Sequence, residues 1–133
     1  MAIISVTRLR VRSWRFLPDF LLHSVRITRQ TRAAPGNMGA EVFRDAGMTF
    51  WTKSAWRDEA SMRAFVTSGA HKAIMPHLHR WCSEASVLHW EQETARLPFW
   101  QDAGRRMQRD GRLIDVKRPS DAHAAGRIPP MKN

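Results

Sequence analysis

Apolar and polar side chains alternate along four stretches of this chain. Alternation with a period of two and many β-branched residues predicts a strand in each stretch, over residues 2–12, 38–44, 48–56 and 85–93. In the first stretch Ile4 and Val6 share one face with Arg8. A short Asp/Gly turn that ends at Gly47 separates the second and third stretches, so we expect these two strands to pair as a hairpin.

Steps of three and four between apolar residues predict helices in the segments between the strands. The first helix spans residues 14–32, and its apolar positions include Trp14, Leu17, Leu21 and Val25. A second helical region begins after Asp58, which can cap it, and resumes over residues 70–81 after an interruption at Gly69. Pro76 lies inside this later piece and is expected to kink it.

The resulting order is β-α-β-β-α-β, which predicts an α+β fold of the ferredoxin-like type with an antiparallel sheet. Two helices on one face of such a sheet leave its opposite face uncovered. An uncovered face with apolar residues needs a partner; a second copy of the chain is the simplest one, and the C-terminal extension can help to cover the face. The pattern therefore predicts a homodimer with sheet against sheet.

The length of 133 residues indicates one domain with a C-terminal extension. We expect the ferredoxin-like domain over residues 1–97 and the extension over residues 98–118, with a short helix that Gly111 closes. Residues 119–133 are rich in alanine, glycine, proline and charge, so a disordered tail is predicted there. No run approaches the roughly 18 apolar residues of a membrane span, and Cys82 is the only cysteine; both indicate a cytoplasmic protein.

The net charge of +10 is concentrated at the two ends of the chain. Residues 1–33 carry +6, residues 34–97 are balanced, and residues 98–133 carry +4. A solvated basic face and a surface for anions or nucleic acid are both compatible with this distribution. Aromatic and arginine side chains do not interleave on one strand as in sheets that read RNA, so nucleic-acid binding is the less favoured interpretation.

Three short motifs resemble the dimeric α/β-barrel superfamily. They are the strand FWTKSAW at residues 50–56, the helix EASMRAF at residues 59–65 and the joint SGAH at residues 68–71. The superfamily includes antibiotic-biosynthesis monooxygenases, haem-degrading monooxygenases and spheroidene monooxygenase, and the chain looks most like a monooxygenase-like bacterial branch over about residues 2–93. The resemblance implies a homodimer whose two sheets form one barrel, with a pocket in each subunit between the sheet and its helices.

The resemblance also indicates which residues line that pocket. His71 lies at the joint and would act as a general base or donate a hydrogen bond to a substrate oxygen. Trp51 and Trp56 fall on opposite faces of their strand, so only one of them can form a wall of the cavity. The substrate-binding candidates are Trp51, Trp56, Phe65, Met75 and Arg8.

No cofactor is expected, and haem is disfavoured. In the haem-degrading relatives an axial histidine follows a tryptophan by ten residues, and alignment on Ser68 places Phe65 and Met75 at those two positions. His71, His77 and His79 lie close together along the chain, but a helix with these spacings seldom converges on one metal ion, so no metal site is predicted. Surface or interface positions are the alternative for these histidines, and a small buried hydrophobe is the expected role of Cys82.

Three functions stay open at this point. The leading one is a monooxygenase-like enzyme that acts on an apolar aromatic or polyenic compound. The second is a dimeric module of the same fold that binds such a ligand without turnover. The third is a basic nucleic-acid-binding protein, whose affinity would fall steeply with salt.

Overall fold

The structure is a computed structural model of the chain and describes residues 1–132. Its centre is an antiparallel sheet of five strands in the order β2-β3-β1-β4-β5. The strands are β1 (Ala2–Val11), β2 (Asn37–Asp45), β3 (Thr49–Trp56), β4 (Cys82–Gln92) and the two-residue β5 (Arg112–Leu113). The longest strands, β1 and β4, pair over ten positions, so β1 lies at the middle of the sheet between β3 and β4.

Five α-helices surround the sheet. They are α1 (Leu17–Ala33), α2 (Glu59–Val66), α3 (Gly69–Trp81), α4 (Trp100–Asp110) and α5 (Asp121–Ala124), and a 3-10 turn over Trp14–Phe16 precedes α1. The order of the first seven strands and helices confirms the predicted α+β fold with a ferredoxin-like antiparallel sheet. The helical region after β3 is divided at Ser68 and Gly69, as its sequence predicts, and α3 runs through Pro76 as one element. None of the helices in residues 1–132 has the length and apolar character that crossing a membrane requires.

Local signals in the sequence set the helix starts. Asp58 has extended backbone and its carboxylate accepts a hydrogen bond from the Ser61 amide at 2.7 Å, which caps α2. Hydrogen bonds from the side chain and then the backbone of Ser61 hold the pKa of Asp58 below its usual value. Pro18 occupies the first turn of α1, where a missing amide proton costs no helical hydrogen bond.

The helices α1, α2 and α3 pack on one face of the sheet. The main apolar cluster joins α1 and α3 to the sheet around Phe20, Phe50, Ile74 and Trp81, with the Phe20 and Phe50 rings 4.9 Å apart. A second, smaller cluster joins Trp56 to α2. This face therefore has the covering that the β-α-β-β-α-β order predicts.

The C-terminal segment of the chain covers the opposite face of the sheet, a role in which the sequence predicts it only as a help to a second copy of the chain. Two parts of the C-terminal segment lie across it: α4 packs Ala103 and Met107, and the last residues pack Ile128, against Ile4 and Trp51. The apolar positions of α4 are three and four residues apart, which gives this otherwise charged helix a stripe that it buries against the sheet. The uncovered face that motivated the sheet-to-sheet homodimer is therefore filled within one chain.

The structure gives defined contacts to residues 119–132, over which the sequence predicts a disordered tail; Asn133 lies outside the described residues. Ser120 caps α5 by accepting a hydrogen bond from the amide of His123 at 3.2 Å. Ile128 is buried and Met131 packs beside it in the cluster beneath α4. The average composition of residues 119–133 is dominated by charge and proline, so it does not indicate that Ile128 and Met131 pack against the sheet.

A buried ion pair links the sheet to this covering segment. Arg8 and Glu84 have side chains only 5% and 4% exposed, and their N–O distance is 2.6 Å. Arg10 approaches the second oxygen of Glu84 at 3.3 Å, and the Ser120 hydroxyl donates to it at 2.6 Å. Burial alone would raise the pKa of Glu84, but these hydrogen bonds and guanidinium charges outweigh it and hold that pKa below its usual value.

We expect Glu84→Ala to be strongly destabilising, because it leaves the Arg8 guanidinium buried without a counter-ion. Loss of one partner from such a pair costs about 3–5 kcal/mol. Glu59→Ala is the matched control, since it removes an exposed pair with Arg63 one helical turn away and should change stability by no more than about 0.5 kcal/mol. Urea unfolding of both variants measures the difference, and equal losses would contradict the structural role given to Glu84.

Candidate active site

The helices do not seal the face of the sheet on which they pack. Along β1, Ile4, Val6 and Arg8 point toward the C-terminal segment and are buried. The alternate residues Ser5 and Thr7 point toward the helices and are only half-buried, although β1 is the central strand. Water therefore reaches the middle of the sheet from the helical side.

Neighbouring strands continue this half-open strip. Ser5 lies opposite Ser54 on β3 and His89 on β4, and Thr7 lies opposite Thr52 and Val87. The four partners are half-buried or exposed. We call these six residues the sheet strip: Ser5, Thr7, Thr52, Ser54, Val87 and His89. Five of the six have polar side chains, so the strip offers hydrogen-bonding groups where a closed core would be apolar.

Trp56, Phe65 and His71 form an aromatic row that begins beside the strip. The Trp56 indole donates from Nε1 to the Ser54 hydroxyl at 2.9 Å. Its ring lies 5.0 Å from Phe65, and Phe65 meets His71 edge-on at 4.9 Å. These three residues were candidates from the sequence, and the structure brings them together between β3 and the joint of α2 and α3.

The hydrogen bond at Nδ1 defines what the His71 ring can do. Nδ1 lies 3.2 Å from the carbonyl oxygen of Val66, which can only accept, so Nδ1 carries the proton. Burial lowers the pKa of His71, and the Val66 carbonyl opposes this only in part. The ring is therefore neutral near pH 7 and its Nε2 has a free lone pair, as a general base requires.

Gln30 on α1 holds the joint that carries His71, and the sequence analysis missed it. Its side-chain amide donates to the Ser68 carbonyl at 2.8 Å and its oxygen accepts from the His71 amide at 2.8 Å. Gly69 has φ +58, and a Cβ there would come within 3.0 Å of Gln30, so glycine permits this close approach. One signal was available: Gln30 follows Ile27 by three residues, on the side of α1 that faces the protein.

The other candidate residues lie elsewhere. Trp51 and Arg8 are buried on the opposite face, where the Arg8 guanidinium lies 5.7 Å from the Trp51 ring and Trp51 Nε1 donates to Asp45 at 3.3 Å. Met75 is exposed on α3. A site built around His71 therefore contains Trp56 and Phe65 but neither Trp51 nor Arg8. The strand alternation had placed the two tryptophans on opposite faces, but it could not tell which face belonged to the site.

His89 is a second titratable group on the sheet strip that the sequence analysis did not select for the site. Partial burial lowers its pKa, and the Arg112 and Arg63 charges act in the same direction while Glu59 opposes them. Two neutral imidazoles, His71 and His89, therefore belong to the helical side of the sheet. The signal for His89 was its place on the same strand face as Val87, in the middle of β4.

The remaining reactive side chains of residues 1–132 stay apart from one another. Within residues 1–132 no group of three or more histidine, cysteine or acidic side chains is placed to hold a metal ion. Cys82 is buried in the main apolar cluster, which confirms its expected role, and burial raises its pKa to about 12. Two clefts of about 450 and 490 Å³ lie along α4 and the loop before it, on the other side of the sheet.

The lowered pKa of His71 makes stability depend on pH. Because the folded state holds the proton less tightly, the unfolded chain takes it up first as pH falls below about 6.5, and the free energy of unfolding decreases. Above that pH both states are neutral and the contribution is constant. We expect His71→Gln to reduce the loss of stability between pH 7.5 and 5.0, measured by urea unfolding. An unchanged loss in the variant would contradict this assignment.

We expect Gln30→Ala to destabilise the protein by about 1–3 kcal/mol, because it leaves the His71 amide without its partner and removes the shorter of two hydrogen bonds to the Ser68 carbonyl, which keeps only the Lys72 amide at 3.3 Å. The same change should shift the His71 titration, followed by NMR of the imidazole protons. Gln108→Ala on the exposed side of α4 is the control and should leave both quantities unchanged. A Gln30 variant with native stability and an unshifted titration would show that the clamp does not position His71.

Known structures share this architecture at low sequence identity. A conserved protein from Methanosarcina mazei Go1 matches with a TM-score of 0.62 and 19% identity, over 70% of this chain and 94% of its own. A Mycobacterium tuberculosis protein matches with a TM-score of 0.61 and 14% identity, over 71% and 97%. SnoaB, a cofactor-independent oxygenase from Streptomyces nogalater, gives 0.57 and 14%, over 70% and 94%.

Sequence comparison identifies the family. No curated protein is significantly similar to the chain in sequence. The sequence profile of the antibiotic biosynthesis monooxygenase family matches residues 3–77, which is more than half of the chain and runs from β1 through most of α3. This segment contains the aromatic row, Gln30 and the joint at Gly69, and it confirms the resemblance found in the motifs. The chain therefore belongs to the antibiotic biosynthesis monooxygenase family.

Proposed function

We propose that this protein is a small-molecule oxygenase whose substrate lies on the sheet strip, beneath the helices and beside His71. The observation that carries the proposal is the half-buried state of Ser5 and Thr7 at the centre of the sheet. A strand flanked on both sides and covered by helices would ordinarily be sealed on this face. The neutral imidazole of His89 lies on the strip itself, and the rings of Trp56 and Phe65 connect the strip to the neutral imidazole of His71. Access to polar groups of this kind is what a substrate site needs.

The lining of the strip supports a particular class of substrate. Hydroxyl groups of Ser5, Thr7 and Thr52 can bond to one or two oxygen atoms of a ligand, and Val87 and the Phe65 ring offer apolar contact. Few polar groups among apolar ones suit a largely apolar body with a small number of oxygen substituents. An aromatic or polyenic compound with a phenolic or enolic group fits this description.

His71 would start the reaction by taking a proton. Removal of an acidic O–H or C–H proton by Nε2 leaves an electron-rich anion, and such an anion can reduce molecular oxygen directly. In the overall reaction an activated CH2 group and O2 give a C=O group and water, so the substrate supplies all four electrons. The chemistry then needs no cofactor, and the similarity in fold to SnoaB, itself a cofactor-independent oxygenase, supports that part of the proposal.

The proposal also includes the cellular location and the oligomeric state of the protein. The single buried thiol of Cys82 suits a reducing compartment, and we place the protein in the cytoplasm. A complete candidate site lies within one chain, so the proposed reaction does not require a second subunit. A homodimer stays a prediction, and it would have to use a surface other than the covered face of the sheet.

The proposal is tested with polycyclic phenols and linear polyenes as probes. Binding is measured by thermal shift, and turnover by oxygen uptake with oxygen-18 detected in the product. We expect at least one probe to bind and to acquire one labelled oxygen atom. His71→Ala should lower turnover about a hundredfold or more while binding changes much less. His79→Ala, an exposed histidine further along α3, is the matched control and should keep wild-type turnover.

Each alternative result has a definite meaning. Binding of a probe without oxygen uptake would replace the oxygenase with a non-catalytic ligand-binding module. Turnover that survives His71→Ala would remove His71 from the chemistry. Failure of every probe to bind would overturn the substrate class, and a bulky substitution such as Ser5→Leu that leaves binding intact would overturn the sheet strip as its place.

A further inference from the structure

The outer side of α1 exposes apolar side chains of the kind that a surface helix normally buries. Leu22 and Val25 are 51% and 52% exposed, and Leu21 is 42% exposed. Trp14, in the turn that leads into the helix, is 75% exposed. Leu21 and Leu22 lie four and three residues before Val25, so these three side chains are neighbours on one side of the helix. We call Trp14, Leu21, Leu22 and Val25 the apolar patch of α1.

The packing of the fold does not account for this patch. Three of the four apolar positions that the sequence predicts for the helix, namely Trp14, Leu21 and Val25, are exposed. The helix packs on the sheet through Phe20 and Ile27 instead. Apolar side chains therefore lie on two opposite sides of α1, and one apolar side is enough to hold a helix on a sheet. The outer side has another role.

The patch lies in a strongly basic region. Five arginines come just before or after it in the chain: Arg12, Arg15, Arg26, Arg29 and Arg32. The guanidinium carbons of the first two lie 4.6 and 5.4 Å from the centre of the Phe16 ring, which fixes both at the start of the helix. The other three are exposed on the second half of α1. Asp19 is the only acidic residue among the first 33, so little negative charge opposes them.

Exposed apolar side chains between cationic ones fit the surface of an anionic lipid bilayer. A helix of this kind lies at the boundary of the bilayer, with its apolar side chains among the acyl chains and its arginines on the lipid phosphates. Trp14 suits the same boundary, because an indole is apolar except for one N–H group. Nucleic acid would engage the arginines and leave Leu22 and Val25 in water. A second copy of the chain fits poorly, because a two-fold contact would bring the arginines of both copies together.

We propose that α1 is a membrane-contact helix, which attaches the protein reversibly to a bilayer rich in anionic lipid. Leu22 and Val25 enter the outer part of the acyl region, and Arg26 and Arg29 bind lipid phosphates. The contact is peripheral, because none of the helices in residues 1–132 can cross a membrane. It uses the helical side of the sheet, opposite to α4. This inference does not depend on the proposed oxygenase activity, since it concerns only the outer side of α1.

Sedimentation with vesicles tests the contact. Vesicles of phosphatidylcholine alone are compared with vesicles of equal parts phosphatidylcholine and phosphatidylglycerol. We expect the protein to bind only the anionic vesicles, and less so as salt screens the arginines. The double variant Leu22→Gln, Val25→Gln should bind about tenfold more weakly or worse, as loss of apolar burial predicts. Phe99→Gln, at an exposed position before α4, is the matched control and should bind as the wild type does.

The arginines are tested separately. Arg26→Gln and Arg29→Gln should each weaken binding about fivefold, since one basic side chain near an anionic surface contributes about that factor. Arg109→Gln removes the same charge from the exposed side of α4 and should leave binding unchanged. All of these side chains are exposed, so each variant should unfold in urea as the wild type does, and a loss of binding then reports on the surface itself.

Trp14 reports on the same contact by fluorescence. Its emission should shift to shorter wavelength when anionic vesicles are added, and the shift should be absent in Trp14→Phe. A wild-type protein that does not sediment with anionic vesicles at low salt would overturn the proposal. Binding that needs the arginines but not Leu22 and Val25 would also overturn it, in favour of a soluble polyanion such as nucleic acid. A dimer in solution that the double variant dissociates would assign the patch to a second copy of the chain instead.

Discussion

The alternation of side chains along β1 is the constraint on which the rest of the structure depends. Successive side chains of a strand point to opposite faces of the sheet, and the two faces of β1 have different surroundings. The C-terminal segment buries Ile4, Val6 and Arg8 on one face. On the other face, beneath the helices, Ser5 and Thr7 are only half-buried and remain accessible to solvent. One face therefore supplies the stability, and the other supplies room for a ligand. A shift of one residue in the pairing of β1 would exchange these roles and place hydroxyls in the core.

Buried charged side chains on the covered face of the sheet fix the position of the C-terminal segment. Arg8, Glu84 and Lys53 have side chains no more than 5% exposed, and each finds its partners across strands or in the covering segment. Apolar contact alone would let α4 slide along the sheet, because dispersion is not directional. Because the buried Lys53 ammonium must contact both the Pro98 carbonyl and the Trp100 ring, α4 can pack on the sheet in only one position. The basic character of the chain is thus partly internal, since Arg8 does not contribute to any outer surface.

Sequence periodicity predicted most of the fold, because strands and helices with one buried face impose their period on the residues. The motifs shared with the family selected Trp56, Phe65 and His71 as candidates for one site. Three features escaped prediction for physical reasons. The role of Gln30 depends on a carbonyl and an amide that are distant in sequence, and the burial of Arg8 depends on its pairing with Glu84. The contacts of the tail depend on the packing of Ile128 and Met131 and on the hydrogen bond from Ser120 to Glu84. Long-range pairing of this kind leaves no periodic trace along the chain.

The depth of Cys82 has a practical consequence for work on this molecule. Its thiol lies in the main apolar cluster and its pKa of about 12 keeps it protonated at any ordinary pH. Only thiolates react readily with maleimides, iodoacetamides or peroxide. A spin label or fluorophore can therefore be attached to a cysteine introduced on the surface of α4 without first removing the native sulfur. The native side chain can stay in the core that it helps to fill.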